Sequence, residues 1–137
     1  MAERCPKAIY LGNTILKGWR LIFKSVATIE KQTGEDVPVG LFEISDQCEK
    51  ALDVYEDYPK LYDKHKLDVN LNGILVTAMT YIMVANYGIS PPSGKYFEVI
   101  SEGYKNCGLD LDFLFEAKNY SIRADSGKGY KSARWNE

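Results

Sequence analysis

Between residues 14 and 23, Trp19, Leu21 and Phe23 alternate with Arg20 and Ile22, a period of two that predicts a strand packed mainly on one face. A second short strand is expected over residues 26–30. The polar, glycine-bearing run 31–36 then predicts a turn. Val37, Val39, Leu41 and Ile44 make residues 37–44 the next strand. Asp46, with Glu49 three positions on, has the form of a capping box. It predicts a helix that turns Ala51, Leu52 and Tyr55 inward and stops near Pro59. Two strands follow, 62–71 and 74–85, separated by Asn72-Gly73, a strong short-range hairpin signal; they are expected to pair antiparallel. Ser93 is placed to cap a helix ending near Asn106, with Gly108 to close it. Tyr96, Phe97, Ile100, Tyr104 and Cys107 recur at steps of three and four on one buried face. A shorter helix is expected from Asp110, burying Leu111, Leu114 and Phe115.

Strands and helices do not alternate strictly, which favours an α+β fold over a doubly wound one. The expected architecture is a small mixed β-barrel-like sheet of about five strands flanked by two or three helices. From Lys118 onward the composition shifts to Ser, Gly, Lys and Arg. The domain is therefore drawn at 1–117 and a basic C-terminal tail at 118–137. That tail carries Lys118, Arg123, Lys128, Lys131 and Arg134 against Asp125 and Glu137. It is net +3 on a chain of net charge −2, so it is expected either to fray in solvent or to meet an acidic surface of its own body.

With 137 residues the chain suits one domain. Seventeen basic residues against 19 acidic ones, with no basic stripe, argue against a nucleic-acid partner. No signal-peptide core and no run of 18 apolar residues occurs, so the expectation is a soluble, cytoplasmic protein without membrane partners. Cys5, Cys48 and Cys107 are odd in number and widely spaced, and reduced thiols are expected. The single histidine, His65, sits among charged neighbours on a predicted solvated strand face. Without Cys-x-x-Cys pairs it cannot build a metal site, and no metal or cofactor is expected. Phosphate-binding glycine loops and a nucleophile elbow do not occur either. Trp19 and the ten tyrosines are assigned to core and strand surface, and Cys48 and Cys107 are assigned no chemistry.

The most informative stretch is Leu52-Asp53-Val54-Tyr55-Glu56-Asp57-Tyr58-Pro59-Lys60-Leu61-Tyr62. Asp53 and Glu56 share nearly one helix face, where neighbouring carboxylates perturb one another. A glutamate among Tyr55, Tyr58 and Tyr62 can be poised as a general base, although an exposed acidic helix end satisfies the same spacing. This box belongs to an ordered series: Arg4-Cys5-Pro6, Leu16-Lys17-Gly18-Trp19-Arg20-Leu21-Ile22-Phe23, Val37-Pro38-Val39-Gly40-Leu41-Phe42, then Thr80-Tyr81-Ile82-Met83, Pro91-Pro92-Ser93-Gly94-Lys95-Tyr96, Gly103 and Gly108-Leu109. In that order and spacing the chain resembles the γ-glutamylcyclotransferase-like, or AIG2-like, family over most of its length.

The resemblance implies a small mixed barrel flanked by helices. It also implies a reaction in which the α-amine of a small γ-glutamyl amine or amino acid attacks its own γ-amide carbonyl, releasing 5-oxoproline and a free amine or amino acid. By match to the family's box, Glu56 is the implied general base, and Tyr62, Tyr81 and Tyr96 are implied to line the substrate pocket, with Glu56 at its floor. The family also implies a strand and a Tyr-Gly-Ser-Asn loop whose amides hold the glutamyl group. The sequence contains no such run, so weak turnover is expected, together with an open sheet edge that either pairs two copies into a homodimer or is covered by the tail 118–137. Asp57 stands where the family commonly has glycine, at a backbone position suited to positive φ. The competing readings are a non-catalytic protein on the same fold that binds or sequesters a metabolite or nucleotide, and a structural role without a ligand.

Overall fold

The computed structural model describes residues 5–132 and 134. Arg4 of the Arg-Cys-Pro motif and residues 133 and 135–137 of the expected tail lie outside them. Two long antiparallel pairs form the β-structure. β1 (Ile9–Phe23) pairs with β2 (Ala27–Glu43), and β3 (Tyr62–Leu71) pairs with β4 (Ile74–Met83). α1 (Asp46–Tyr55) links the two pairs, and α2 (Gly94–Asn106) and α3 (Asp112–Arg123) follow them. The α+β expectation therefore holds, with four strands among the described residues rather than about five.

The second hairpin follows its local chemistry. Asn72 and Gly73 take φ of 53° and 85°, the left-handed pair of a type I′ turn. The register runs without a shift from Leu71↔Ile74 to Tyr62↔Met83. The first hairpin departs from expectation. β1 begins at Ile9 rather than near Thr14, and the turn expected at 31–36 is instead part of β2. Lys17 pairs with Asp36, but Trp19 pairs with Lys31, so residues 32–35 form an excursion opposite Gly18. Gly18 and Gly34 adopt φ of 82° and 85° there. The turn-forming residues thus kink one continuous strand instead of ending it.

The starts of α1 and α2 are set by serine. Ser45, not Asp46, caps α1, its hydroxyl accepting from the Cys48 amide at 3.1 Å. Glu49 turns away to Lys64, and Ala51 faces solvent instead of the core. Ser93 caps α2 as predicted, accepting from the Tyr96 amide at 3.2 Å. α3 is longer than expected and runs through Lys118 to Arg123.

Apolar side chains meet in three places. Leu16, Val37 and Val69 pack between the two strand pairs. Phe23, Val26, Leu61, Tyr62, Met83, Tyr96, Leu114 and Ala117 join strand ends to α2 and α3. Cys5, Cys48 and Leu52 fasten α1 to the N-terminal segment. Cys5 and Cys48 are disulfide-bonded, which corrects the expectation of reduced thiols; Cys107 is free.

Candidate active site

α1 ends where its helical hydrogen bonding runs out at Glu56, whose amide donates to the Leu52 carbonyl at 2.8 Å. The next residue, Asp57, reverses the chain at a φ of 50°. The peptide Tyr58–Pro59 is cis, and Leu61 and Tyr62 return buried into β3. This reversal places Tyr55, Glu56 and Tyr62 on the wall of a cavity of about 990 Å³, a size suited to a small molecule. Tyr96, Ile100 and Tyr104 of α2 form another wall, and Tyr130, Ser132 and Arg134 bring the C-terminal segment to the same space.

The tyrosines differ in environment. Tyr62 and Tyr96 are both buried and engage one residue at the start of β2. The Tyr62 hydroxyl donates to the Ala27 carbonyl at 2.5 Å, and the Ala27 amide donates to the Tyr96 hydroxyl at 2.9 Å. Burial pushes the Tyr62 phenol pKa far up, with the nearby Tyr96 phenol and the Glu56 carboxylate adding to the shift. Burial likewise raises Tyr104. Both phenols therefore stay protonated at neutral pH, able to shape the cavity and to donate hydrogen bonds, but unable to serve as bases.

Of the residues expected at the site, Glu56, Tyr62 and Tyr96 share the cavity; Tyr81 does not line it. The Tyr81 hydroxyl donates to Asp53 at 2.6 Å, and Lys64 reaches Asp53 at 2.9 Å and Glu49 at 2.6 Å. Asp53 is thus engaged by Tyr81 and Lys64. Burial would raise the Asp53 pKa, but the hydrogen bonds from Tyr81 and Lys64 and the lysine charge outweigh it, and the net shift is downward. Lys64 is raised by its hydrogen bonds to Glu49 and then Asp53, and Tyr81 by burial and then its bond to Asp53. His65 lies exposed on β3.

Sequence reasoning did not place Tyr130, Ser132 or Arg134 at the cavity. The surplus of positive charge after Lys118 was the available signal. Among the described residues, no group of three or more His, Cys, Asp or Glu is disposed to hold a metal ion, and no helix is long and apolar enough to cross a membrane.

A family model described as gamma-glutamyl cyclotransferase, AIG2-like, matches residues 1–102. The chain belongs to this family. A human structure described as uncharacterized protein loc79017 superposes with a TM-score of 0.72 at 23% identity, covering 97% of this chain and 85% of that one. A structure described as gamma-glutamyl cyclotransferase gives 0.70 at 22% identity, covering 96% and 82%. These likenesses establish the fold. No curated protein sequence matches the chain.

Proposed function

We propose that this AIG2-like protein is a cyclotransferase that releases 5-oxoproline from small γ-glutamyl compounds, with Glu56 as its proton carrier. The observation that carries the reading is that Glu56 lines the same cavity as Tyr62 and Tyr96. The substrate amine arrives as an ammonium, so a carboxylate must first take a proton from it. The freed amine then attacks the γ-carbonyl carbon. A C–N bond forms within the new ring, the attacking nitrogen gives up a second proton as it becomes the lactam N–H, the bond to the departing nitrogen breaks, and Glu56 carries both protons in turn to that nitrogen, which leaves as an ammonium. One carboxylate serves both steps because the proton count closes on the same group.

The test is 5-oxoproline release from γ-glutamylalanine, followed by mass spectrometry. Glu56→Gln keeps the side-chain shape and removes the base, and a loss in kcat of about 10²–10⁴ is expected. A variant within a few-fold of the parent would end this assignment. The binding reading has one observation in its favour: the hydroxyls of Tyr62 and Tyr96 are both engaged with the Ala27 backbone, so the polar groups lining the cavity also serve the fold. Tight binding of a γ-glutamyl compound or nucleotide, with no 5-oxoproline formed, would select that reading.

A further inference from the structure

After α3, residues 124–130 form a strap pinned along its length. The Ser126 amide donates to the Ile89 carbonyl at 2.8 Å, the Gly88 amide to the Lys128 carbonyl at 2.9 Å, and the Tyr130 amide to the Lys24 carbonyl at 2.9 Å. The two layers approach closely enough to require glycine. A Cβ on Gly88 would lie 2.2 Å from Ser126 Oγ, and one on Gly129 would lie 2.5 Å from Ser90 Cβ. This path delivers Arg134 to the cavity, where its Nη1 donates to the Tyr55 carbonyl at 3.3 Å and its guanidinium lies 4.4 Å from the Tyr55 ring centroid.

Charge around the cavity is uneven. Glu56, Asp57, Glu98 and Glu102 line it, and Arg134 is the single cationic side chain among the described lining residues. A substrate anion placed elsewhere on that wall would face like charge, whereas a guanidinium presents five N–H donors in a fork that fits a carboxylate. Glu56 is half-buried and Arg134 is exposed at the rim. If Glu56 serves the reacting amine, the glutamyl group lies on its side of the cavity, and the exposed Arg134 at the rim is left to meet the leaving end of the substrate.

We infer that Arg134 is a specificity-determining residue that binds a carboxylate on the leaving group, so that the substrates are γ-glutamyl amino acids rather than γ-glutamyl amines without that carboxylate. The inference rests on the cyclotransferase reading. The bond that breaks is then the γ-amide to an amino-acid nitrogen, and the products are 5-oxoproline and a zwitterionic amino acid whose carboxylate has been held by Arg134.

The experiment compares three ligands on the full chain: γ-glutamylalanine, γ-glutamylalaninamide, which lacks the leaving-group carboxylate, and the analogue whose glutamyl α-carboxylate is an amide. Each is measured by 5-oxoproline release and, independently of turnover, by titration calorimetry, for the parent, Arg134→Gln and Arg134→Lys. The parent is expected to favour γ-glutamylalanine over its alaninamide by about tenfold to a hundredfold, the worth of a charged hydrogen-bond pair. Arg134→Gln should bring that ratio close to one, and Arg134→Lys should restore part of it. Equal handling of both ligands by the parent, a parallel fall for both in Arg134→Gln, or a loss that follows the glutamyl α-carboxylate would overturn the inference. Turnover without discrimination sinks the inference and leaves the cyclotransferase reading standing. Arg134-dependent discrimination in binding without any 5-oxoproline sinks the cyclotransferase reading and leaves carboxylate recognition standing. Neither turnover nor discrimination rejects both.

Discussion

Asp57 holds the backbone reversal that aims Glu56, at a φ of 50° where an L-residue is strained and glycine is not. Asp57→Gly relieves that strain and removes a charge adjacent to Glu56, against a larger loss of backbone entropy on folding. The conformational term is expected to win, with a gain of about 0.5–1 kcal/mol in urea unfolding; a loss of stability would show that the Asp57 side chain itself supports the reversal. Three residues before Glu56, Asp53 answers to pH. Its pKa is lowered in the folded state by Tyr81 and Lys64 acting against burial, so its contribution is present above the ordinary carboxylate value of about 3.9 and is lost as pH falls through the lower folded value. Lys64 and Tyr81 are raised, so their contributions are present below their ordinary values and lost only in strong alkali. Thermal midpoints should therefore drop as pH goes from about 5 to 2, and Asp53→Asn should flatten that limb. An unaltered acid limb in the variant would assign it to other carboxylates.

At the scale of elements, local chemistry was legible wherever it acts locally. The Asn72-Gly73 turn set the β3–β4 register, Ser93 started α2, and Gly108 at a φ of 68° follows its end. The β2 excursion at residues 32–35 was misread because turn residues look alike whether they end a strand or bulge out of it; the pairing partner decides, and that partner is β1. α3 outran its expected length because burial of Leu114, Ala117 and Ser121 outweighs the polar composition after Lys118. Of the residues lining the cavity, family resemblance pointed to Glu56, Tyr62 and Tyr96 but gave no hint of the strap, whose contacts link residues near 126–130 to residues near 24 and 88–90. The Cys5–Cys48 pair was equally beyond reach, since its members are 43 residues apart and meet only through packing. Closing a loop of that length restricts the unfolded chain, which predicts a loss of about 2–4 kcal/mol on reduction or in Cys48→Ser. Identical unfolding curves with and without reductant would show that the bond does not form in solution.

Across the whole molecule, the three apolar clusters are separate in their buried members, yet Tyr81 packs against two of them. It touches the group built on Phe23 and Leu114 and also the one built on Cys5, Cys48 and Leu52. Together with its hydrogen bond to Asp53, this makes Tyr81 a strut that fixes α1, and with it Glu56, to the main core. Leu114 is fully buried in that core, and Leu114→Ala should cost about 2–5 kcal/mol. The arrangement makes a statement about coupling that single variants cannot test. Cys48→Ser combined with Leu114→Ala should give nearly additive losses, because their clusters share no buried residue. Cys48→Ser combined with Tyr81→Ala should depart from additivity by about 0.5–3 kcal/mol, because both changes loosen the same helix. Tyr81→Phe keeps the ring in both clusters and should lose only the hydrogen-bond part. If the cycle with Leu114 shows the larger coupling, α1 is held through the main core rather than through Tyr81, and the site depends on the fold by a different route.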